Sequence, residues 1–523
     1  MASPARSPSG TSTPAGTQML SGLAAAAVAL GVTQLVAAPF GPAADSRTAV
    51  GSAVIDLTPG PVKEWAIQTF GTADKLFLAV AVLVVIAAIA ALTAQWETRR
   101  RPVGSVMIVL AGIAGAAAVL SRPGASLVHV IPTVVGTVCG VAVLRLLTSG
   151  RIKDPQARAD TDADPGRRLS LAALGLLGAG VVSGVAGAVW TRLLHSVSDD
   201  RQAFTVPEPE IRAAPIPPEV QPKGVELPSF VTANGDFYRI DTALSVPQLA
   251  RENWQLKIHG MVDHEVTFDF TDLADFELVE MVVTLACVSN PVGGDLISNA
   301  TWTGYRVRDL LARAGVHGDA DMVLSTSDDG FTAGTPVEAL TDGRDALLAI
   351  TMNGEPLPVE HGYPARLVVP GLYGYVSATK WVVDLELTRF DRARAYWTRL
   401  GWSEHGPIKT ESRIDVPRGG ADVPVGPVTF GGVAWAQGRG VRAVEVRVDP
   451  PGGRGVWQPA DLGASYSNDT WRLWSFPWRA TTPGDHTITV RATDNTGAVQ
   501  TEDQADVIPD GATGWHEVAF TVT

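Results

Sequence analysis

The chain has 523 residues, which is too long for one hydrophobic core and predicts two to four domains. Its net charge of -13 at pH 7 argues against a nucleic-acid partner, because no basic stripe is available to displace the counterions of phosphates. The two cysteines, Cys139 and Cys287, give no sign of a disulfide framework.

The first part of the chain is strongly apolar. A tail at 1–18, rich in Ser, Thr, Pro and Gly, is expected to be disordered. About five transmembrane helices are then predicted within 19–195, because each apolar stretch has about the 20 residues that cross a bilayer core. These stretches are Met19–Phe40, Leu76–Gln95, Gly104–Leu120, Val128–Leu147 and Leu169–Trp190. The first and third are rich in Ala and Gly, so four spans remain an alternative.

Basic residues in the loops predict the orientation of these spans. They follow the second span or lie between the fourth and fifth: Arg99, Arg100, Arg101, Arg151, Lys153, Arg158, Arg167 and Arg168. Positive charge favours the cytoplasmic side, so the N-terminus is expected in the cytoplasm and everything after Trp190 outside a plasma membrane that the chain crosses several times. Arg167 and Arg168 also stand where a twin-arginine export signal would have them, and both interpretations stay open.

The rest of the chain is soluble in character. A Pro-rich linker is predicted at 196–229, because its prolines favour an extended tether. The next part, 230–413, mixes alternating strands with short helices and predicts an α+β domain. The last part, 414–523, has short alternating strands at even spacing and predicts a β-sandwich.

One apolar, β-branched run in the α+β domain ends in a cysteine. The residues from Val282 to Ala286 predict a buried strand that carries Cys287 at its end. A lone thiol there is more often an inert packing group than a reactive one. The sequence around Cys287 favours a reactive cysteine instead.

Three stretches together resemble the sulfite oxidase family of molybdenum enzymes: VVTLACVSNPVGG around Cys287, the run from Thr351 to Trp381, and a C-terminal region with TWRLWSFPW. The resemblance begins near Phe230 and continues to the C-terminus. It implies that the α-helical membrane anchor predicted from the apolar stretches is followed by an α+β sulfite-oxidase-type molybdopterin domain. It also implies a C-terminal immunoglobulin-like dimerisation domain, and hence a homodimer in which Trp435, Trp471 or Trp474 lies in the interface or the core.

The same resemblance implies a molybdenum-molybdopterin cofactor. Cys287 is then the catalytic residue and the protein's ligand to the metal, for which a soft thiolate is suited. The residues expected to contact the pterin or its phosphate are Asn234, Phe237 through its backbone, Tyr238, Arg239, Asp329, His361, Arg366, Ser377, Thr379 and Lys380. Asp328 is an equally good choice for the position given to Asp329.

Departures from the family pattern concern the substrate. Two arginines follow the cysteine motif in sulfite oxidases, whereas this chain has Pro291 and Val292 there. Ile350 stands where the family has an active-site tyrosine. We therefore expect an oxidoreductase that transfers an oxygen atom to or from a small substrate other than sulfite.

Three alternatives stay open. They are a sulfite dehydrogenase, a reductase of sulfoxides or N-oxides, and a surface scaffold without cofactor. The chain has no sequence motif for an iron–sulfur cluster, an attached haem or a dinucleotide, which predicts a separate electron-transfer protein as partner.

Overall fold

The computed structural model describes residues 15–59, 62, 65–66, 69–70, 74–122, 124–149 and 165–523. The chain divides into two compact units, Met1–Ser196 and Val197–Thr523. Within the described residues the first unit is helical and the second is mainly β. Residues 1–14 of the predicted tail, and the basic residues Arg151, Lys153 and Arg158, lie outside the described residues.

The first unit contains long apolar helices at all five predicted stretches. Their bounds are Ala15–Ala37, Asp74–Ala94, Val103–Leu120, Ile131–Thr148 and Pro165–His195. Each is long and apolar enough to cross a membrane. The first begins at Ala15, inside the stretch predicted as a disordered tail.

A further helix, Ser46–Leu57, was not predicted. Its signal is the residue before it, since the Asp45 carboxylate caps the helix by accepting hydrogen bonds from the backbone N–H groups of Arg47 and Thr48.

Small residues let the helices of the first unit approach one another closely. A side chain at Gly31 would collide with the backbone of Gly180, and one at Gly187 would collide with the backbone of Gln34. Gly22 lies in the same way against Ala90. Such small residues are typical of helices that associate by backbone packing within a bilayer.

The second unit begins with two sheets. One has the strand order β2-β1-β10-β5-β6, in which only β1 and β10 run parallel, and the other has the order β3-β4-β7-β8, with β9 also paired to β7. The strands are β1 Gln255–Gly260, β2 Val266–Asp269, β3 Leu278–Ala286, β4 Ile297–Arg306, β5 Met322–Ser327, β6 Thr332–Pro336, β7 Leu347–Met352, β8 Glu355–Pro356, β9 Arg366–Val368 and β10 Val382–Thr388. Short helices at Ser198–Ala203, Val307–Ala314 and Val337–Thr341 accompany them.

Two more sheets follow. Their strand orders are β11-β13-β17-β16 and β12-β19-β18-β14-β15. The strands are β11 Glu411–Val416, β12 Asp422–Val423, β13 Gly426–Trp435, β14 Val441–Asp449, β15 Gln458–Pro459, β16 Asp461–Leu462, β17 Arg472–Ala480, β18 Gly484–Asp494 and β19 His516–Val522. One hydrophobic cluster joins the two sheets, with Phe430 and Trp474 from the first and Val446, Ile488 and Phe520 from the second. We call these two sheets the C-terminal sheets.

The segment predicted as a linker is largely packed against the sheets of its own unit. Ile211 forms an isolated bridge with Val279 of β3, and Val220 is buried in the main core. Near its start, the Asp200 carboxylate pairs with the Arg251 guanidinium at 2.7 Å and accepts a hydrogen bond from the Tyr363 hydroxyl at 2.6 Å. Extended backbone is present, as the prolines predict, but it lies along a surface.

Candidate active site

The loop after β3 places Cys287 at the end of a buried strand. β3 pairs along its whole length with β4, which fixes the strand end. The backbone N–H of Cys287 donates to the carbonyl of Leu296, and the N–H of Asn290 donates to the carbonyl of Cys287, at 2.9 and 3.2 Å. The Asn290 side chain accepts from the Leu296 N–H at 2.9 Å. The half-buried cysteine therefore sits on a closed loop.

Side chains from the C-terminal sheets hold this loop from outside. The Arg413 guanidinium donates to the carbonyl of Gly294 at 2.9 Å, and the His516 ring occupies the space that a side chain at Gly293 would need. His516 Nδ1 accepts a hydrogen bond from the backbone N–H of Ile414 at 3.0 Å. Burial lowers the pKa of His516 to about 4, so the ring is neutral at pH 7 and can accept.

A cavity opens beside Cys287 and contains many of the predicted residues. Six of them line it: Phe237, Tyr238, Cys287, Asp329, Arg366 and Lys380. They come from four separate parts of the chain, which the fold brings to one place. These six predicted residues therefore lie around one cavity.

Two cations with little exposure to solvent line this cavity. Arg366, at the start of β9, is buried and donates to the carbonyls of His361 and Leu367 at 3.2 and 3.4 Å. Among the described residues no carboxylate pairs with its guanidinium. The Lys380 ammonium is nearly enclosed and binds Asp241 at 3.2 Å.

Both cations are held where water solvates them poorly. Burial lowers the pKa of Arg366 to about 10 and that of Lys380 to about 8. Asp241 opposes the second shift by favouring the charged lysine. A buried cation without a carboxylate is costly in the protein alone and is stabilised by an anionic group that enters the cavity.

His361 lies behind the cavity wall. Its ring packs edge-on against Phe237 with centroids 5.5 Å apart. Burial, together with the charges of Arg366 and Lys380, lowers its pKa to about 3. His361 is therefore neutral at pH 7 and adds no third cation.

The other predicted residues surround the cavity without lining it. The Asn234 side chain accepts from Asn353 at 2.8 Å, and the exposed Arg239 donates to Asp241 at 2.9 Å. The Ser377 hydroxyl donates to the carbonyl of Tyr373 at 2.9 Å, and the Thr379 hydroxyl lies 2.7 Å from that of Ser325. These hydroxyls are buried and engaged within the protein.

Sequence reasoning missed several residues of the cavity. Asp241, the partner of Lys380, stands two residues after the predicted Arg239, so its position offered a signal. Ser327 directly precedes Asp328 and Asp329 and offered the same kind of signal, whereas Trp397 and Trp402 offered none. The Ser327 hydroxyl is buried and has no hydrogen-bond partner among the described residues, so a polar group of a bound molecule would satisfy it.

Together these residues fit a cofactor that has an anionic tail, a polar ring and a soft metal. Arg366 and Lys380 suit the phosphate, Ser327 suits a polar ring, and the Cys287 thiol suits the metal. A family model described as "Oxidoreductase molybdopterin binding domain" matches residues 243–397, which include Cys287, Arg366 and Lys380.

The chain is similar to several known proteins. The chain is 34% identical to the uncharacterized oxidoreductase YuiH of Bacillus subtilis over 153 residues, which are 29% of this chain and 74% of that protein. It is 30% identical to the mitochondrial sulfite oxidase of Homo sapiens over 47% of this chain and 52% of that protein. The sulfane dehydrogenase SoxCD structure from Paracoccus pantotrophus matches with a TM-score of 0.45 and 25% identity, covering 52% of this chain and 75% of that one.

The chain thus belongs to the sulfite oxidase family of molybdopterin-dependent oxidoreductases. It spans only about half the length of the human sulfite oxidase that it matches. Its enzyme class and its molybdenum cofactor follow from the family, and its substrate does not.

Proposed function

We propose that this protein is a membrane-anchored molybdenum enzyme that transfers an oxygen atom between water and a substrate other than sulfite. The observation that carries the proposal is the shared cavity of Cys287, Arg366 and Lys380. The electrons pass to or from a separate electron-transfer protein.

The chain's residues divide the work between holding the cofactor and shaping its surroundings. Cys287 would provide the protein's ligand to the metal, on a loop fixed by Asn290 and Arg413. Arg366 and Lys380 would hold the phosphate-bearing pterin. When bound, the cofactor supplies two-electron oxygen-atom transfer, and the residues around it bind and orient the substrate and limit the access of water.

The residues at three positions that depart from the family pattern support a substrate other than sulfite. Pro291 and Val292 carry no charge, and Ile350 is a buried residue of β7. The cavity is lined by Val288 and Ser289 next to Cys287, where they offer an oxyanion no cation. A reductase of sulfoxides or N-oxides agrees better with this lining than a sulfite dehydrogenase does.

Metal and pterin analysis of the purified full-length protein tests the proposal. We expect about one molybdenum and one pterin per chain, followed by turnover of a sulfoxide or N-oxide and little turnover of sulfite. A preparation without molybdenum, from cells able to make the cofactor, would contradict the enzyme assignment. Rapid oxidation of sulfite would leave the family assignment intact and overturn the proposed substrate.

We also propose that the second unit lies on the outer face of a plasma membrane. The five apolar helices and the arginines of their loops support this topology. Changing both Arg167 and Arg168 to Lys keeps the positive charge but removes the guanidinium pair. If export uses this pair, protease added to spheroplasts will no longer digest the second unit in the double variant. Unchanged digestion assigns the arginines to charge-based orientation alone.

The C-terminal sheets are proposed to form an immunoglobulin-like domain that joins two chains. The candidate tryptophans Trp435, Trp471 and Trp474 are all buried within one chain, so they belong to its core. Any two-fold contact would then use other residues of these sheets. If the detergent-solubilised protein sediments as a monomer at micromolar concentration, the proposed dimer is wrong.

A further inference from the structure

The outer part of the cavity combines aromatic rings with a carboxylate. Four aromatic residues line it: Phe331, Tyr375, Trp397 and Trp402. Asp329 lines the same cavity and is linked to this group, since its carboxylate accepts the backbone N–H of Phe331 at 3.2 Å. We call these five residues the aromatic mouth.

The rings of the aromatic mouth belong to one continuous array. Trp397 and Trp402 meet edge to face with centroids 6.0 Å apart, and Tyr375 lies 5.8 Å from Trp402. On the other side, Tyr396 connects Trp397 to Phe331 at 5.1 and 5.9 Å. Packing of ring on ring holds these side chains in place before any ligand arrives.

Two of the rings are also fixed from behind. Trp402 is 6% exposed, and the Tyr375 hydroxyl donates to the carbonyl of Ser403 at 2.9 Å. The mouth is therefore preorganised, which reduces the entropy that a ligand loses on binding.

The charged residues that line the cavity differ in how they are paired. Among the described residues no basic side chain forms an ion pair with Asp329, which lines the cavity. The cations of the lining are Arg366, which is buried against Trp302, and Lys380, which is bound to Asp241. The aromatic mouth thus contributes a carboxylate without a basic partner, whereas both cations are nearly enclosed.

We propose that the aromatic mouth binds a positively charged organic group of the substrate, such as a quaternary ammonium or the nitrogen of an amine N-oxide. Aromatic faces attract such cations through their quadrupoles, and a carboxylate adds a direct charge interaction. Sulfite, an anion, is repelled by the same carboxylate. This inference rests on the proposed function, because it takes the cavity to be the substrate entrance of the molybdenum site.

Two isosteric probes separate charge from shape. Choline and 3,3-dimethylbutan-1-ol have nearly the same size, but only choline is charged. Titration of the purified holoprotein in detergent, followed by tryptophan fluorescence or calorimetry, should give at least about tenfold tighter binding of choline. Equal affinity for the two probes, or no binding of choline, would overturn the inference.

Variants assign the effect to the mouth. Asp329→Asn should weaken choline binding about tenfold and leave the neutral probe unchanged, because only the charge interaction is lost. Asp319→Asn is the matched control, since it removes an exposed carboxylate that does not line the cavity and should change the affinity for choline by less than about twofold. If Asp319→Asn has the larger effect, the binding is non-specific attraction and the inference fails.

Molybdenum analysis of each preparation distinguishes this inference from the proposed function. A preparation that contains molybdenum and binds both probes equally overturns the cation site alone. A preparation that prefers choline but never contains molybdenum supports the cation site and contradicts the proposed enzyme function.

Discussion

The two ends of the active-site cavity differ in how their residues relate to the sulfite oxidase pattern. The inner end has the residue types that the family uses, with Cys287, Arg366 and Lys380 lining one space. The outer end is lined by aromatic rings and Asp329, and after the cysteine motif Pro291 and Val292 stand where the family has two arginines. Under the proposed function, the site retains its cofactor chemistry while its substrate recognition differs, because different side chains carry the two tasks.

The largest effect is expected from the metal ligand. Cys287→Ser keeps the volume of the side chain but replaces a soft thiolate with a hard oxygen. Changing a residue that only supports a metal ligand lowers metal affinity or activity about 10–100-fold. Loss of the ligand itself should therefore lower turnover by about 100-fold or more. Turnover with an electron acceptor or donor dye measures this. Cys139→Ser, in the first unit, is the matched control and should retain full activity.

Removal of the buried cation tests the inner end next. Arg366→Met should lower the molybdenum content about tenfold or more, because the anionic tail of the cofactor loses its partner. Without the cofactor, the Arg366→Met variant should have a melting temperature no lower than that of the unchanged protein. Among the described residues no carboxylate pairs with the guanidinium, so its removal breaks no ion pair. Arg313→Met, at an exposed position, is the control. Full molybdenum content together with a lower melting temperature would make Arg366 a structural residue only.

A positive charge introduced at Ser289 should favour the binding of an anion such as sulfite. Ser289 lines the cavity and is half-buried, so Ser289→Arg adds a cation where sulfite would approach. One charge-assisted hydrogen bond should improve the KM for sulfite, or its inhibition constant, by about tenfold. Ser289→Gln supplies similar bulk without charge. If Ser289→Gln improves sulfite binding as much as Ser289→Arg does, a missing positive charge is not the reason for weak sulfite binding.

The smallest effect concerns pH and stability. Burial lowers the pKa of Lys380 to about 8, below its ordinary value near 10.5. Between these values the unfolded chain binds a proton that the folded chain has released, so the contribution of Lys380 to stability rises with pH across this window. In the unchanged protein without cofactor, the melting temperature should rise by a few degrees between about pH 8 and 10. In the Lys380→Met variant without cofactor, this rise should be absent. The exposed Lys223→Met should leave the pH profile unchanged.

Local patterns in the sequence predicted much of the fold. Alternating apolar residues identified strands such as β14 and β18, and the run before Cys287 identified β3, because period-two burial is visible in a short window. The helix Ser46–Leu57 was missed, although Asp45 provided its cap signal. The packing of 196–229 along the second unit was also missed, since Pro-rich sequence indicates extension but not what the backbone lies against.

The site was predicted unevenly for a related physical reason. Cys287, Arg366 and Lys380 were found because each belongs to a stretch that resembles the family. Trp397 and Trp402 reach the cavity through tertiary contacts of an irregular segment, and no local periodicity marks them.

The dependence of the Cys287 loop on the C-terminal sheets has a consequence for the order of synthesis. Thr284 of β3 is bonded to Asp469 and Trp471, and the loop itself needs Arg413 and His516. A ribosome makes these partners long after it has made the cysteine, so the nascent chain holds an unsupported Cys287 loop while its apolar helices are already available to a membrane. A cofactor that requires the completed loop can be loaded only after translation has passed His516.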